Sequence, residues 1–144
     1  MLMVKSPMDL EKVETIEQKL YQAAWMVREK AWAPYSGFRV GAALFLPEQQ
    51  LVVAGVNVEN ASFGATICAE RSAMMASISQ FGKTAIGMLL VATDASVPAV
   101  PCALCLQVLA EFCRPDMPVL LANAGGIVER LHFSDLLPRP FTVF

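Results

Sequence analysis

Three cysteines and one carboxylate constrain this chain more than anything else in it. Cys68-Ala69-Glu70 and Pro101-Cys102-Ala103-Leu104-Cys105 lie well apart in the sequence. The spacing of Cys102 and Cys105 lets one helical turn offer both sulfurs to a single ion, so Cys68 has to arrive from a different helix. Three thiolates can hold a zinc ion and leave its fourth tetrahedral position to water. A carboxylate two residues beyond the first thiolate can move that water's protons. A purely structural zinc site would need a fourth ligand.

Both motifs fall where helices are expected to begin. A helix N-terminus carries partial positive charge and free amides, so a cysteine there ionises readily and ligates well. In a regular helix, residues two apart point to nearly opposite sides, which places Cys68 at or just before the first turn if Glu70 is to share its site. Three thiolates on Zn²⁺ leave a net negative charge, and Arg71 is the nearest cation to balance it. Taken singly, these residues have plainer readings. Cys102 and Cys105 fit a redox pair or a structural zinc knuckle, Glu70 a first-turn acid, Arg71 a surface cation, Asn57 and Glu59 turn residues, and Phe38 and Phe63 core. Cys113 reads as a buried thiol and His132, the one histidine, as a satisfied core residue.

The chain's 144 residues fit one domain, 1–144, and one active site. Hydrophobic residues reach 56%. Yet no uncharged apolar run is long enough to suggest a membrane span, so the surplus points to subunit contacts and the eight methionines to adaptable packing. Nothing in Met1 to Pro7 marks the chain for export, and the expected compartment is the cytoplasm, where four cysteines favour ligands or buried thiols over disulfides. Eleven basic residues against 13 acidic ones, scattered, argue against nucleic acid as a partner. A small neutral substrate fits better.

A helix is expected from Asp9, with Leu10, Val13, Ile16, Leu20, Ala23, Ala24 and Val27 at helical spacing until Ala33-Pro34 stops it. A hairpin follows, Phe38 to Leu46 and Leu51 to Val56. Then come a loop to Ile67, a helix from Cys68 or Ala69 to Phe81, a strand over Ile86 to Ala92, and a helix from Cys102 to Phe112 opened by Pro101. Strands over Met117 to Ala122 and Ile127 to Phe133 precede the tail Leu136-Leu137-Pro138. This order suggests a mixed sheet of about five strands with helices on both faces, an α/β fold. Ligands in such sheets lie where helices begin, beyond the carboxyl ends of strands.

Four linked stretches carry a family resemblance: Pro34-Tyr35-Ser36-Gly37-Phe38-Arg39-Val40-Gly41-Ala42-Ala43, Asn57-Val58-Glu59-Asn60-Ala61-Ser62, Cys68-Ala69-Glu70-Arg71 and Pro101-Cys102-x-x-Cys105-x-Gln107-Val108-Leu109. Together they resemble the homotetrameric cytidine deaminases of pyrimidine salvage, in order and spacing, over nearly the whole chain. The resemblance implies a three-layer α/β/α cytidine-deaminase-like fold and hydrolytic deamination of cytidine and deoxycytidine to the uridines with release of ammonia. It implies one zinc per chain on Cys68, Cys102 and Cys105, with Glu70 carrying protons from the water to ring N3 and the leaving amine.

By the same resemblance Asn57 and Glu59 would hydrogen-bond the ribose 3′-hydroxyl, Phe38 would pack on the nucleoside and the Ala69 amide would meet the pyrimidine O2. Phe63 would stack on a base bound by a neighbouring subunit of a homotetramer with shared active sites. Arg71 and Gln107 would support the ligands from behind. Two positions depart from the family pattern: Ala103 stands where it has Gly and Leu106 where it has Arg. They raise a rival, a deaminase of a modified or antibiotic cytosine nucleoside. A rival of another class is a non-catalytic zinc-binding module.

Overall fold

The computed structural model describes residues 7–144, with side chains from residue 15 onward. The side chains of Asp9, Leu10 and Val13 lie outside that range. A five-stranded mixed sheet runs in the order β2-β1-β3-β4-β5. Its strands are β1 (Val40–Leu46), β2 (Leu51–Val56), β3 (Met88–Thr93), β4 (Pro118–Asn123) and β5 (Gly126–His132). Only β3 and β4 pair in parallel; the other neighbours are antiparallel. The expected sheet and its cover of helices on both faces are both present.

One face carries α1 (Pro7–Val27), the other α2 (Ala69–Phe81), α3 (Ala103–Leu109) and the short α4 (Phe133–Leu136). Leu20 and Ala24, four residues apart on α1, are fully buried against Ala43, Leu90, Ala92 and Leu120. On the opposite face Ala42, Leu44, Leu89, Val91, Val119 and Leu121 meet Ala73 and Met74 of α2 and Leu106 and Leu109 of α3. Both sides of β3 are thus covered, and all six of its residues are buried. Two glycines set how closely the helices approach. A Cβ on Gly41 would collide with the backbone carbonyl of Ala24, and one on Gly55 with the Ala73 amide and, at 2.8 Å, the Ala69 carbonyl oxygen.

Several element ends differ from expectation, each for a local reason. The first helix gives way at Val27 to a 3₁₀ turn, Arg28–Lys30, ahead of Ala33-Pro34. Trp32 leaves it to bridge Val58, its N–H donating to the Asn57 carbonyl at 3.0 Å. β1 starts at Val40 and not Phe38, because the Asn57 side chain takes the Val40 N–H and the Phe38 carbonyl. α3 stops at Leu109, where the tighter Phe112 N–H to Leu109 carbonyl bond (2.9 Å) takes over.

His132 is not a core residue. It ends the edge strand β5, is exposed, and caps α4, its N–H donating to the Asp135 carboxylate at 2.8 Å. Burial was the wrong expectation because β5 has a neighbour on one side only, and much of its length stays open to solvent. No helix among the described residues is long and apolar enough to cross a membrane.

Candidate active site

Cys68 and Cys102 hold equivalent positions. Each is the extended residue just before a helix, Cys68 (φ −72°, ψ 158°) ahead of α2 and Cys102 (φ −70°, ψ 165°) ahead of α3. Cys105 sits on the first turn of α3 and is fully buried. The two helix starts therefore deliver three sulfurs to one point. Cys68 to Cys102 is 3.7 Å, Cys102 to Cys105 is 3.5 Å, and all three lie within 4.8 Å of one another. All are free thiols. Tetrahedral corners at a zinc–sulfur length of ~2.3 Å are about 3.8 Å apart, so the trio fits a zinc ion and leaves one corner to a non-protein group.

Glu70, on the first turn of α2, is 4% exposed. Its Oε2 accepts the Cys105 S–H at 3.3 Å, so it joins the cluster across the gap between α2 and α3 and not through Cys68, its neighbour in sequence. Burial pushes its carboxyl above the ordinary carboxylate range, and the nearby Cys68 charge adds to that; its own backbone hydrogen bond, Cys105 and Arg71 pull the other way. The hydrogen bond shared with Cys105 draws the Cys68 thiol down to about 5, helped by Arg71 and Cys102. The same bond, together with burial and the Glu70 charge, pushes the Cys105 thiol up. The two shifts are opposed: the thiol beside the guanidinium becomes the more acidic and the fully buried one the less acidic.

Arg71 Nη2 lies 3.7 Å from Cys68 Sγ and donates to the Thr66 carbonyl at 3.4 Å. A cation thus stands beside the thiolates, as their summed charge requires. Gln107, two residues past Cys105, turns elsewhere. Its Nε2 donates to the Phe141 carbonyl at 2.6 Å and its Oε1 accepts the Phe141 N–H at 3.2 Å, tying the C-terminal tail to α3.

A second cluster lies on the segment that leads into Cys68. Val58 pairs with Trp32 on one side and with Ile67 on the other, exchanging bonds of 2.9 and 3.0 Å with Ile67. This strip fixes Asn57 and Glu59 and leads into Cys68. Asn57 clamps the turn before β1, its Nδ2 donating to the Phe38 carbonyl at 2.7 Å and its Oδ1 accepting the Val40 N–H at 2.9 Å. Glu59 Oε1 accepts the N–H groups of Tyr35 (2.9 Å) and Ser36 (3.1 Å), and Oε2 accepts the Ser36 hydroxyl. Those bonds from Ser36 hold its carboxyl below the ordinary range.

Phe38 and Phe63, which alone would read as core, are exposed. Phe63 meets Tyr35 edge-on at 5.7 Å beside a cavity of about 290 Å³ lined by Tyr35, Ser36, Glu59, Phe63 and Thr66. Ala69 is fully buried at the first position of α2, where a backbone N–H has no partner within its helix.

Ser36 and Thr66 had no role from sequence. Ser36 belongs to the stretch from Pro34 to Ala43, but its reach to Glu59 spans too many positions to be read from spacing. Both departures from the family pattern leave the sulfurs alone. Leu106 is 6% exposed and packs in the core beneath α3, while Ala103 is exposed. The rival substrate reading that rested on them loses its basis.

Residues 14–121 match the family model described as the cytidine and deoxycytidylate deaminase zinc-binding region. The chain is 42% identical over 125 residues to a cytidine deaminase of Halalkalibacterium halodurans, covering 87% of this chain and 93% of that one. A cytidine deaminase of Sporosarcina psychrophila is also 42% identical, with 87% and 90% covered. Among solved structures, the cytidine deaminase of Burkholderia pseudomallei superimposes with a TM-score of 0.77 at 41% identity, over 86% of this chain and 98% of that one. That of Mycobacterium tuberculosis gives 0.74 at 32% identity, over 88% and 97%. The matched region takes in both cysteine motifs and the strip that leads into Cys68, and the chain belongs to the cytidine and deoxycytidylate deaminase family.

Proposed function

We propose that this chain deaminates cytidine and deoxycytidine by zinc-dependent hydrolysis, giving uridine and deoxyuridine with release of ammonia, in the salvage of pyrimidine nucleosides. The observation that carries this reading is the buried Glu70 carboxylate set against three converged sulfurs, in a chain 42% identical to proteins known as cytidine deaminases. Cys68, Cys102 and Cys105 hold the metal. A zinc ion there, when bound, supplies a Lewis acid that makes water a nucleophile near neutral pH.

Glu70 does the proton work. Its Oε2 takes the first proton of the attacking water and passes it to ring N3; once the oxygen is bonded to C4, it takes the second proton from that hydroxyl and gives it to the amine, so that the C4–N bond breaks, ammonia leaves and the C4 carbonyl forms. Its burial keeps bulk water from competing for that proton. Arg71 balances the charge on Cys68. The Ala69 amide takes the pyrimidine O2, Phe38 packs on the nucleoside, and Asn57 and Glu59 receive the 3′-hydroxyl of the sugar. Asn57 also shapes this subsite through the backbone it clamps.

Residues 1–144 form one catalytic domain working in the cytoplasm as a homotetramer. The exposed Trp32, Phe63 and Phe141 support an assembly in which a neighbouring subunit completes each site. Zinc-loaded protein incubated with cytidine should bleach the substrate's ultraviolet absorbance with one ammonia released per cytidine consumed. Folded protein carrying about one zinc per chain with no turnover of either nucleoside would overturn the reading.

A further inference from the structure

The turn before β1 is folded around a carboxylate. Three donors from Tyr35 and Ser36 converge on Glu59, and the Ser36 hydroxyl that donates to Oε2 also accepts the Phe38 N–H at 3.0 Å. One side-chain oxygen therefore links the acid to the backbone of the aromatic residue. We propose that Ser36 is the positioning residue of the sugar contact, tying the Glu59 carboxylate and the Phe38 backbone to a single hydroxyl so that both meet a nucleoside as one unit. The inference rests on Glu59 receiving the 3′-hydroxyl of the sugar.

An ionised carboxylate only accepts hydrogen bonds and has about four lone-pair positions. The turn fills three of them, leaving one for a donor from outside, and a sugar hydroxyl is such a donor. Glu59 lines the 290 Å³ cavity, and the remaining position is assigned to a donor that enters there. A glutamate beside solvent normally samples several rotamers, and binding has to restrict them. Ser36 removes that cost beforehand. Its bonds also keep the carboxyl below its ordinary range, so it stays the acceptor the contact needs. Gly37 makes the turn possible with φ at +70°; the space for a Cβ is open, so the requirement is conformational.

The test uses zinc-loaded enzyme with cytidine and 3′-deoxycytidine. Ser36→Ala should raise KM for cytidine about tenfold while kcat stays within about twofold, as expected when a charge-assisted bond serving binding alone is lost. With 3′-deoxycytidine the penalty should shrink to about twofold or less, and Ser36→Thr should restore cytidine KM. If Ser36→Ala yields no folded protein, Ser36→Cys, similar in shape but a weak donor, should show the same rise in KM. Glu59→Gln separates the two readings. If it raises KM for cytidine and Ser36→Ala does not, the Ser36 inference falls alone; if Glu59→Gln leaves KM unchanged, the sugar contact falls and this inference with it. An equal loss of kcat on both substrates would make Ser36 a folding residue and overturn the proposal.

Discussion

Glu70 Oε2 lies 3.3 Å from Cys105 Sγ, although Glu70 shares its motif with Cys68. The acid is on one helix and the sulfur it bonds on another, so the proton-carrying group is held against the metal cluster by the packing of α2 on α3. Removing the carboxylate's basicity without its shape should therefore spare the cluster. Glu70→Gln is expected to lower kcat by about 10²–10⁴-fold, the usual worth of a general acid–base. Zinc content should stay at the wild-type ratio, read by metal analysis of the same preparation. Loss of zinc in step with activity would show that Glu70 builds the site and does not act in it.

Arg71 reaches Cys68 Sγ and the Thr66 carbonyl, and its buried Nε has no partner. Such an arrangement is held in place by the charge it offsets. Arg71→Gln should weaken zinc retention by about 10–100-fold, the range for residues that support metal ligands. Competition against a chromogenic chelator measures this. Arg71→Lys should fall between the two, keeping charge and losing the planar fork. Unchanged zinc affinity in Arg71→Gln would remove its supporting role.

The parts of this protein legible in its sequence are those governed by local chemistry. Cys68 and Cys102 at the starts of helices follow from Pro101, the loop before Ile67 and the apolar spacing beyond; the structure puts both there, with Cys102 one position ahead of α3 and not inside it. The sheet follows from runs such as Ile86 to Ala92, which the structure shows as the fully buried strand Met88–Thr93. Long-range side-chain choices were not legible. Gln107 stands two residues from Cys105, yet its amide matches the exposed backbone of Phe141, and hydrogen-bond complementarity with a distant tail leaves no periodic mark. Likewise nothing in Asn57 indicates that it replaces ladder bonds at the start of β1. His132 lies in a strand read as apolar, but only the sheet order reveals that this strand is an edge.

Gly55 lets α2 sit directly on β2. A Cβ there would meet the Ala73 amide and the Ala69 carbonyl, both backbone, so neither can swing aside. Gly55→Ala should cost about 1–3 kcal/mol, lowering the melting temperature by roughly 3–10 °C. Because α2 carries Ala69, Glu70 and Arg71, activity should fall at temperatures where the variant is still folded. Gly41→Ala pushes on α1, across the sheet from the sulfurs, and should destabilise with a smaller loss of activity per folded molecule. Equal activity losses at matched stability would show that the two faces are not separable.

Cys113, packed partly buried against the core on the α3 side, has its thiol pushed up to about 11 by burial, from an ordinary value of 9.0. Between those values the unfolded chain has given up the proton and the folded one keeps it. Deprotonation thus favours unfolding, and stability should be level below about pH 9, decline from 9 to 11, and level off above. Cys113→Ala removes the titrating group at the cost of a small void. Its denaturation midpoint should be lower than wild type at pH 7, with a visibly shallower decline between pH 9 and 11. Urea titrations across that range measure both slopes, and parallel curves would assign the alkaline decline to other groups.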